Sequence, residues 1–94
     1  MINSKSNVPT DKASKYLQQM CNHFGHKTDV VETDGGQAIQ FGFGAGELVA
    51  SEDTLVLIAR AESDENLTKT ENVLGSHLER FAFRENLSVT WQRS

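Results

Sequence analysis

The residues of this sequence best suited to chemistry are one cysteine and three histidines. Cys21, His23 and His26 fall within six residues of one another, and His77 lies further along the chain. Neutral imidazole and thiolate are the usual ligands of zinc, iron and copper, and three ligands close together are a common minimum for a site. These four residues are therefore the candidates for binding a transition metal or another ligand.

Helical spacing limits which of these residues can act together. At 100° per residue, Cys21 and His23 lie about 200° apart on a helix and do not face the same ion. His23 borders the apolar stripe of the first predicted helix, and His77 lies about 60° from Leu74 on the second. If the helices lie side by side, His23 and His77 meet at their seam, with His26 or Cys21 as a third group. The structural alternative, which is commoner for histidines at helix edges, is that each one satisfies a local hydrogen bond.

Covalent catalysis by Cys21 is a second chemistry to consider. A nucleophilic thiol needs an imidazole beside it and positive charge that lowers its pKa. Cys21 lies near the C-terminus of the predicted helix, where the helix dipole opposes a thiolate. The sequence therefore identifies no catalytic residue, and Cys21 alone is more typical of a small core side chain.

A cationic face on the second predicted helix offers an anion site. Arg80 and Arg84 are four residues apart, and His77 precedes Arg80 by three, so the three side chains share one face. Such a face suits a carboxylate or a phosphate, and Lys27 is a further candidate for the same ligand. The alternative is that the arginines pair with glutamates of the same helix.

The composition indicates one ordinary globular domain. Of the 94 residues, 37% are hydrophobic and 23% are charged, which is typical of a globular chain. A chain of this length does not divide into two independent cores. The polar start predicts a flexible lead-in over residues 1–9, followed by a single domain over residues 10–94.

Several functional classes are disfavoured by what the sequence lacks. No apolar run approaches the roughly 20 residues of a membrane span, and the start does not resemble a signal peptide. A single cysteine agrees with a reducing compartment, so we expect a cytoplasmic protein without membrane contact. The net charge of −4 also argues against binding nucleic acid, since affinity for phosphates depends on cationic surface. The partners that remain possible are a small-molecule ligand and another protein.

Hydrophobic periodicity and turn signals predict the elements. A helix over about 10–24 is expected to end at a left-handed Gly25, and Asp34-Gly35 is typical of a tight hairpin. A second helix begins after Ser63 and continues to about residue 83. Alternating or apolar runs predict strands over residues 26–33, 38–43, 47–50, 54–59 and 87–91.

These elements predict an α+β fold in the order α-β-β-β-β-α-β. A mainly antiparallel sheet of about five strands, with both helices on one face, is the economical packing. The run over residues 54–59 is apolar on both faces, which places it near the centre of the sheet. The expected architecture is a two-layer sandwich.

Two stretches, residues 13–27 and residues 76–85, resemble the signature segments of a bacterial family named domain of unknown function 2218. The resemblance extends from about Thr10 to Trp91. It implies a small cytoplasmic protein, and it implies a connection with iron, because this domain also occurs joined to siderophore-interacting flavoproteins that reduce ferric chelates. No catalytic role comes with the matching residues, which are Cys21, His23, Phe24, His26, Lys27, His77, Leu78, Arg80, Phe81 and Phe83.

Three hypotheses for function follow. The first is a non-enzymatic binding or accessory domain of iron or siderophore metabolism that holds a metal or an anionic ligand around His23, His26 and His77. The second is an enzyme acting on a small metabolite through Cys21 or a histidine. The third is a structural domain that docks onto another protein, with the same residues joining the two helices.

Overall fold

The computed structural model describes residues 1–26, 28–33, 35–85 and 87–93. Two α-helices and six strands form the fold, and a short 3₁₀ turn follows the second helix. In chain order the elements are β1 (Ile2–Pro9), α1 (Ala13–Gly25), β2 (Asp29–Thr33), β3 (Gly36–Gln40), β4 (Ala45–Ala50), β5 (Thr54–Ala61), α2 (Asp64–Phe81), the 3₁₀ turn Phe83–Glu85, and β6 (Gln92–Arg93).

The strands form one antiparallel sheet in the order β2-β3-β4-β5-β1-β6. Strands β2 to β5 follow one another as a meander, and β1 joins on the far side of β5. Strand β5 lies near the centre of the sheet, as predicted. The α+β class is confirmed, but the sheet has six strands instead of about five, and the element order begins with a strand.

Strand β1 pairs with β5 along its whole length, from Ile2 opposite Ala61 to Pro9 opposite Thr54. The sequence predicted no strand here and assigned residues 1–9 to a flexible lead-in. The reason is that two of the inward-facing residues, Ser4 and Ser6, are polar although they are buried. A period-2 pattern with serines on the inner face does not resemble an amphipathic strand.

Both helices pack on one face of the sheet and bury the stripes that periodicity predicts. In β5 every second residue is buried against the helices. In α1 every residue of the stripe that the spacing predicts is buried, namely Ala13, Tyr16, Leu17, Met20 and Phe24. The β2-β3 hairpin is also confirmed, and Gly35 adopts a φ of 89°, which favours glycine. Asp34 of the predicted turn lies outside the described residues. The largest fully buried side chains include Met20, Ile39, Leu48, Leu55, Leu57, Leu67, Leu74 and Leu78.

The end of α1 differs from the prediction. Gly25 remains helical, and the capping residue His26 has right-handed dihedral angles instead of the expected left-handed turn at Gly25. The backbone N–H and the hydroxyl of Thr28 both donate to the carbonyl oxygen of Phe24 at 2.8 Å. These bonds satisfy a terminal carbonyl that a left-handed cap would otherwise serve.

The predicted closing strand over residues 87–91 is also wrong. Only Gln92–Arg93 pairs with β1, opposite Lys5 and Ser4. In the preceding segment Leu87, Val89 and Trp91 pack against the core instead, which explains why their alternation is typical of a strand. Among the described helices, none is long and apolar enough to cross a membrane.

Candidate functional site

The seam between α1 and α2 holds three of the seven candidate residues, which are His23, His77 and Arg84. The helices run in opposite directions, because Tyr16 near the start of α1 contacts Glu85 after α2, whereas His23 near the end of α1 contacts His77. The two ends of the seam therefore hold different chemistry. One end is histidine and aromatic, and the other is cationic.

His23 and His77 meet at the seam, as helical spacing predicted. Their ring centroids lie 4.9 Å apart with an interplanar angle of 42°, and both side chains are half-buried. Phenylalanines surround the pair: Phe24 lies 4.9 Å from His77, and Phe81 lies 5.8 Å from His23 in an edge-to-face arrangement. The pair is part of an aromatic cluster that joins the two helices.

The hydrogen bond of His77 favours a structural role. Its Nδ1 donates to the carbonyl oxygen of Val73, one turn earlier on α2, at 2.7 Å. A carbonyl oxygen only accepts, so the proton of this bond resides on Nδ1. His77 thus makes the local hydrogen bond that is expected if it has a structural role instead of binding a ligand.

The remaining members of the predicted cluster do not join this pair. His26 is exposed at the end of α1, beside Asp29 and Phe41 in a shallow depression. Cys21 is buried, and burial raises the pKa of its thiol, which opposes a thiolate nucleophile. Within the described ranges, no group of three or more histidine, cysteine, aspartate or glutamate side chains is arranged to hold a metal ion.

The cationic end of the seam forms a concave site that we call the seam pocket. It encloses a cavity of about 260 Å³. Lys12 and Lys15 approach it from the start of α1, and Arg84 approaches it from the turn after α2. The lining residues are Lys12, Lys15, Tyr16, Gln19, Phe81, Phe83 and Arg84.

The cations of the seam pocket are available for a ligand. Lys12, Lys15 and Arg84 are exposed, and none of the three forms an ion pair with a carboxylate of the described residues. Arg84 lies over the ring of Phe83, with its guanidinium carbon 5.6 Å from the ring centroid. Phe83 is 66% exposed, so a large aromatic face lines the pocket in contact with solvent.

The carboxylate of Glu85 lies beside the pocket, and hydrogen bonds from the chain already engage both of its oxygens. Glu85 accepts hydrogen bonds from the Tyr16 hydroxyl and from Thr10 Oγ1, the latter at 2.9 Å. The Tyr16 bond, the Thr10 bond and the nearby Lys12 and Lys15 lower the pKa of Glu85. The same Tyr16 bond, with burial, raises the pKa of Tyr16 to about 12. Lys12, Lys15 and Arg84 still outnumber the two carboxylates that act on Tyr16, Glu85 and Asp11, so the pocket favours negative ligands.

The predicted anion face is only partly reproduced. Arg84 lines the seam pocket, whereas Arg80 is exposed on the last turn of α2 outside that lining, and Lys27 lies outside the described residues. Sequence reasoning missed Lys12, which immediately precedes α1, and Lys15 in its first turn, although a spacing of three at a helix start places two side chains on one side. Their relation to Arg84, which is distant in sequence, follows only from the antiparallel helix packing.

Comparison with known proteins agrees with the resemblance. The profile of a family described as "Uncharacterized protein conserved in bacteria (DUF2218)" matches residues 5–92. The solved "NMR structure of PA4090 from Pseudomonas aeruginosa" is 36% identical, superposes with a TM-score of 0.82, and aligns over 98% of this chain and 96% of its own. No curated protein matches the sequence. The chain therefore belongs to this bacterial family of uncharacterised proteins.

Proposed function

We propose that this chain is a non-enzymatic binding domain that holds a small anionic ligand in the seam pocket. The observation that carries the proposal is the convergence of Lys12, Lys15 and Arg84 on one cavity. The three side chains come from two elements that are distant in sequence, so the cluster exists only in the folded chain. The chain as a whole carries a net charge of −4. A cluster of three cations therefore differs in sign from the overall charge of the protein.

The shape of the pocket narrows the ligand class. Phe81 and Phe83 provide an apolar wall, and Gln19 provides an amide that both donates and accepts. A cavity of about 260 Å³ is smaller than most drug-sized sites, so it suits a ligand of one ring or a short chain. A carboxylate or phosphate on such a ligand would reach the cations, while its apolar part would cover Phe83.

The family resemblance selects the first ligands to test. It implied iron handling, and organic iron chelates combine carboxylate or phenolate anions with apolar rings. This supports citrate and salicylate, with their ferric complexes, as probes of the seam pocket. The proposal places the ligand at the cationic end of the seam instead of at His23, His26 and His77, because the two histidines that meet lack a third ligand among the described residues.

The positions of the two potentially reactive groups, Cys21 and His77, also support a binding role. The Cys21 thiol is buried with a raised pKa, and His77 directs its Nδ1 proton to its own helix. Neither group lines the seam pocket. Recognition by charge and aromatic contact needs no nucleophile or proton-transfer group at the cavity.

The experiment is calorimetric titration of the purified chain with citrate, salicylate and inorganic phosphate. Lys15→Gln and Arg84→Gln should each weaken binding about tenfold, the loss expected for one charge-assisted contact. Lys69→Gln is the matched control, because Lys69 is an exposed cation on α2 outside the pocket lining and its loss should leave affinity unchanged. Equal affinity in all four proteins, or no binding of any probe, would contradict the proposal.

A further inference from the structure

Phe83 is the most exposed aromatic ring in the described part of the chain. It is 66% exposed, whereas every other phenylalanine, tyrosine and tryptophan in the described ranges is buried or half-buried. A single exposed apolar side chain is ordinary on a protein surface. Phe83, however, lines the seam pocket together with Lys12, Lys15 and Arg84, so its exposed ring lies where a charged ligand would also make contact.

The backbone on both sides of Phe83 is held by hydrogen bonds. Ala82 is 1% exposed, and its N–H donates to the carbonyl oxygen of Leu78 at 2.9 Å. The N–H of Glu85 donates to the carbonyl oxygen of Ala82, also at 2.9 Å, and the Glu85 carboxylate accepts from Tyr16. The turn that carries Phe83 is therefore formed before a ligand arrives. A ligand that covers the ring loses little of its binding free energy to ordering the turn.

The apolar wall of the pocket is aromatic. Phe81 lies in an edge-to-face arrangement with His23, at 5.8 Å between the ring centroids, and so it belongs to the cluster that joins the helices. The guanidinium carbon of Arg84 lies 5.6 Å from the ring centroid of Phe83. An aromatic ligand gains ring-to-ring contact with this wall and cation-to-ring contact with Arg84. An aliphatic ligand of the same size gains only the burial of apolar area.

The charge of the pocket suits a ligand with one negative charge. The cations are Lys12, Lys15 and Arg84, and the nearby carboxylates are those of Glu85 and Asp11. Three cations against two carboxylates leave a single positive charge to be neutralised. One carboxylate on the ligand matches this balance, whereas a phosphoryl group carries close to two negative charges at pH 7.

We propose that the ligand of the seam pocket is an aromatic monocarboxylate and that Phe83 selects its ring, an inference that rests on the function proposed above. It narrows the ligand from small anions in general to a flat ring with one carboxylate. The ring lies against Phe83, and the carboxylate meets the cations at the mouth of the cavity. The cavity of about 260 Å³ is small for a ligand site, which restricts the ligand to a single ring.

Titrations of the isotopically labelled chain with benzoate, cyclohexanecarboxylate and acetate at pH 7, followed by amide shifts, test this assignment. Each of these ions carries one negative charge, so they differ only in the group attached to the carboxylate. Benzoate should bind at least about tenfold more tightly than acetate, because its ring covers Phe83. It should bind about three to ten times more tightly than cyclohexanecarboxylate, whose ring has no aromatic face.

Three variants show whether Phe83 causes this preference. Phe83→Leu keeps an apolar side chain but removes the ring, so benzoate and cyclohexanecarboxylate should bind equally well. Phe83→Tyr keeps an aromatic face and should retain the preference for benzoate. Phe43→Leu is the matched control, because Phe43 stacks on Phe41 outside the lining of the pocket and its loss should leave the preference unchanged. Circular dichroism checks that each variant is folded.

Equal affinity of the wild type for benzoate and cyclohexanecarboxylate would overturn the choice of an aromatic ligand. So would a preference that Phe83→Leu leaves intact, since another residue would then select the ring. If Lys15→Gln still weakens the binding of every anion in those cases, the seam pocket remains an anion site and only its ligand class is wrong. If neither phosphate nor any of the three carboxylates binds, both the ligand class and the binding function are contradicted.

Discussion

The hydroxyl of Tyr16 donates a hydrogen bond to the carboxylate of Glu85, and this bond joins the start of α1 to the turn after α2 across 69 residues of sequence. Thr10 donates to the other oxygen of the same carboxylate. The seam pocket lies beside these bonds, and Tyr16 is one of its lining residues. The bond therefore holds together the two elements that carry the cations of the site.

Tyr16→Phe should lower the free energy of unfolding by about 1 kcal/mol, because the phenyl ring keeps the packing but removes one of the two side-chain donors to Glu85. Urea unfolding at pH 7 measures this difference. The Tyr16 bond lowers the pKa of Glu85, so the stabilisation is present above the ordinary pKa of 4.5 and is lost as the pH falls through the lowered value. Wild type and variant should converge in acid, and a constant difference down to low pH would contradict this.

The alkaline titration of Tyr16 provides a second check, because this is the single tyrosine of the chain. Its pKa is raised from 10.0 to about 12. A raised pKa contributes stability that is full below pH 10 and is lost between about pH 10 and 12. Tyrosinate absorbance should therefore rise near pH 12 in the native protein and near pH 10 in concentrated urea. Titration near pH 10 in both states would show that the Glu85 bond is absent.

Cys21 should react slowly with a thiol reagent in the folded protein. It is 7% exposed, and burial raises its pKa, so both access and thiolate population are reduced. Labelling at pH 7 should proceed at least about a hundredfold more slowly than in urea. A rate close to that of the unfolded chain would restore the hypothesis of a reactive Cys21.

Two glycine substitutions should change stability in opposite directions. Gly25 lies in the last turn of α1, and a Cβ there meets nothing within 4 Å, so Gly25→Ala should stabilise by up to about 1 kcal/mol through helix propensity. At Gly44 a Cβ would lie 2.8 Å from the carbonyl oxygen of Arg60. Gly44→Ala should therefore destabilise by about 1–3 kcal/mol. Thermal unfolding of both variants measures the two effects, and a stabilised Gly44→Ala would contradict the packing at the start of β4.

Hydrophobic periodicity predicted the elements correctly wherever the buried residues are hydrophobic. The stripes of α1 and α2 were predicted from spacing alone, and two predicted helices on one sheet were enough to expect that His23 and His77 meet. It failed where the buried residues are polar, as in β1, whose inward Ser4 and Ser6 resemble a loop. Over residues 87–91 periodicity predicted a strand that is not there, because this alternating segment packs on the core without pairing with the sheet.

The seam pocket could not be predicted because its cations belong to different elements. Arg80 and Arg84 are close in sequence and suggested a site on one helix, but only Arg84 lines the cavity. Lys12 and Lys15 join Arg84 because the helices are antiparallel, and this orientation depends on the sheet topology. No local pattern in the sequence encodes that relation.

Mapping of ligand-induced amide shifts tests the central claim most directly. Salicylate and citrate are titrated into the isotopically labelled chain at pH 7, and the perturbed amides are assigned. The account predicts that the largest shifts cluster at Lys12, Lys15, Phe83 and Arg84, and that Arg84→Gln reduces them. Shifts centred on His23, His26 and His77, or no shifts with any anionic probe, would contradict it.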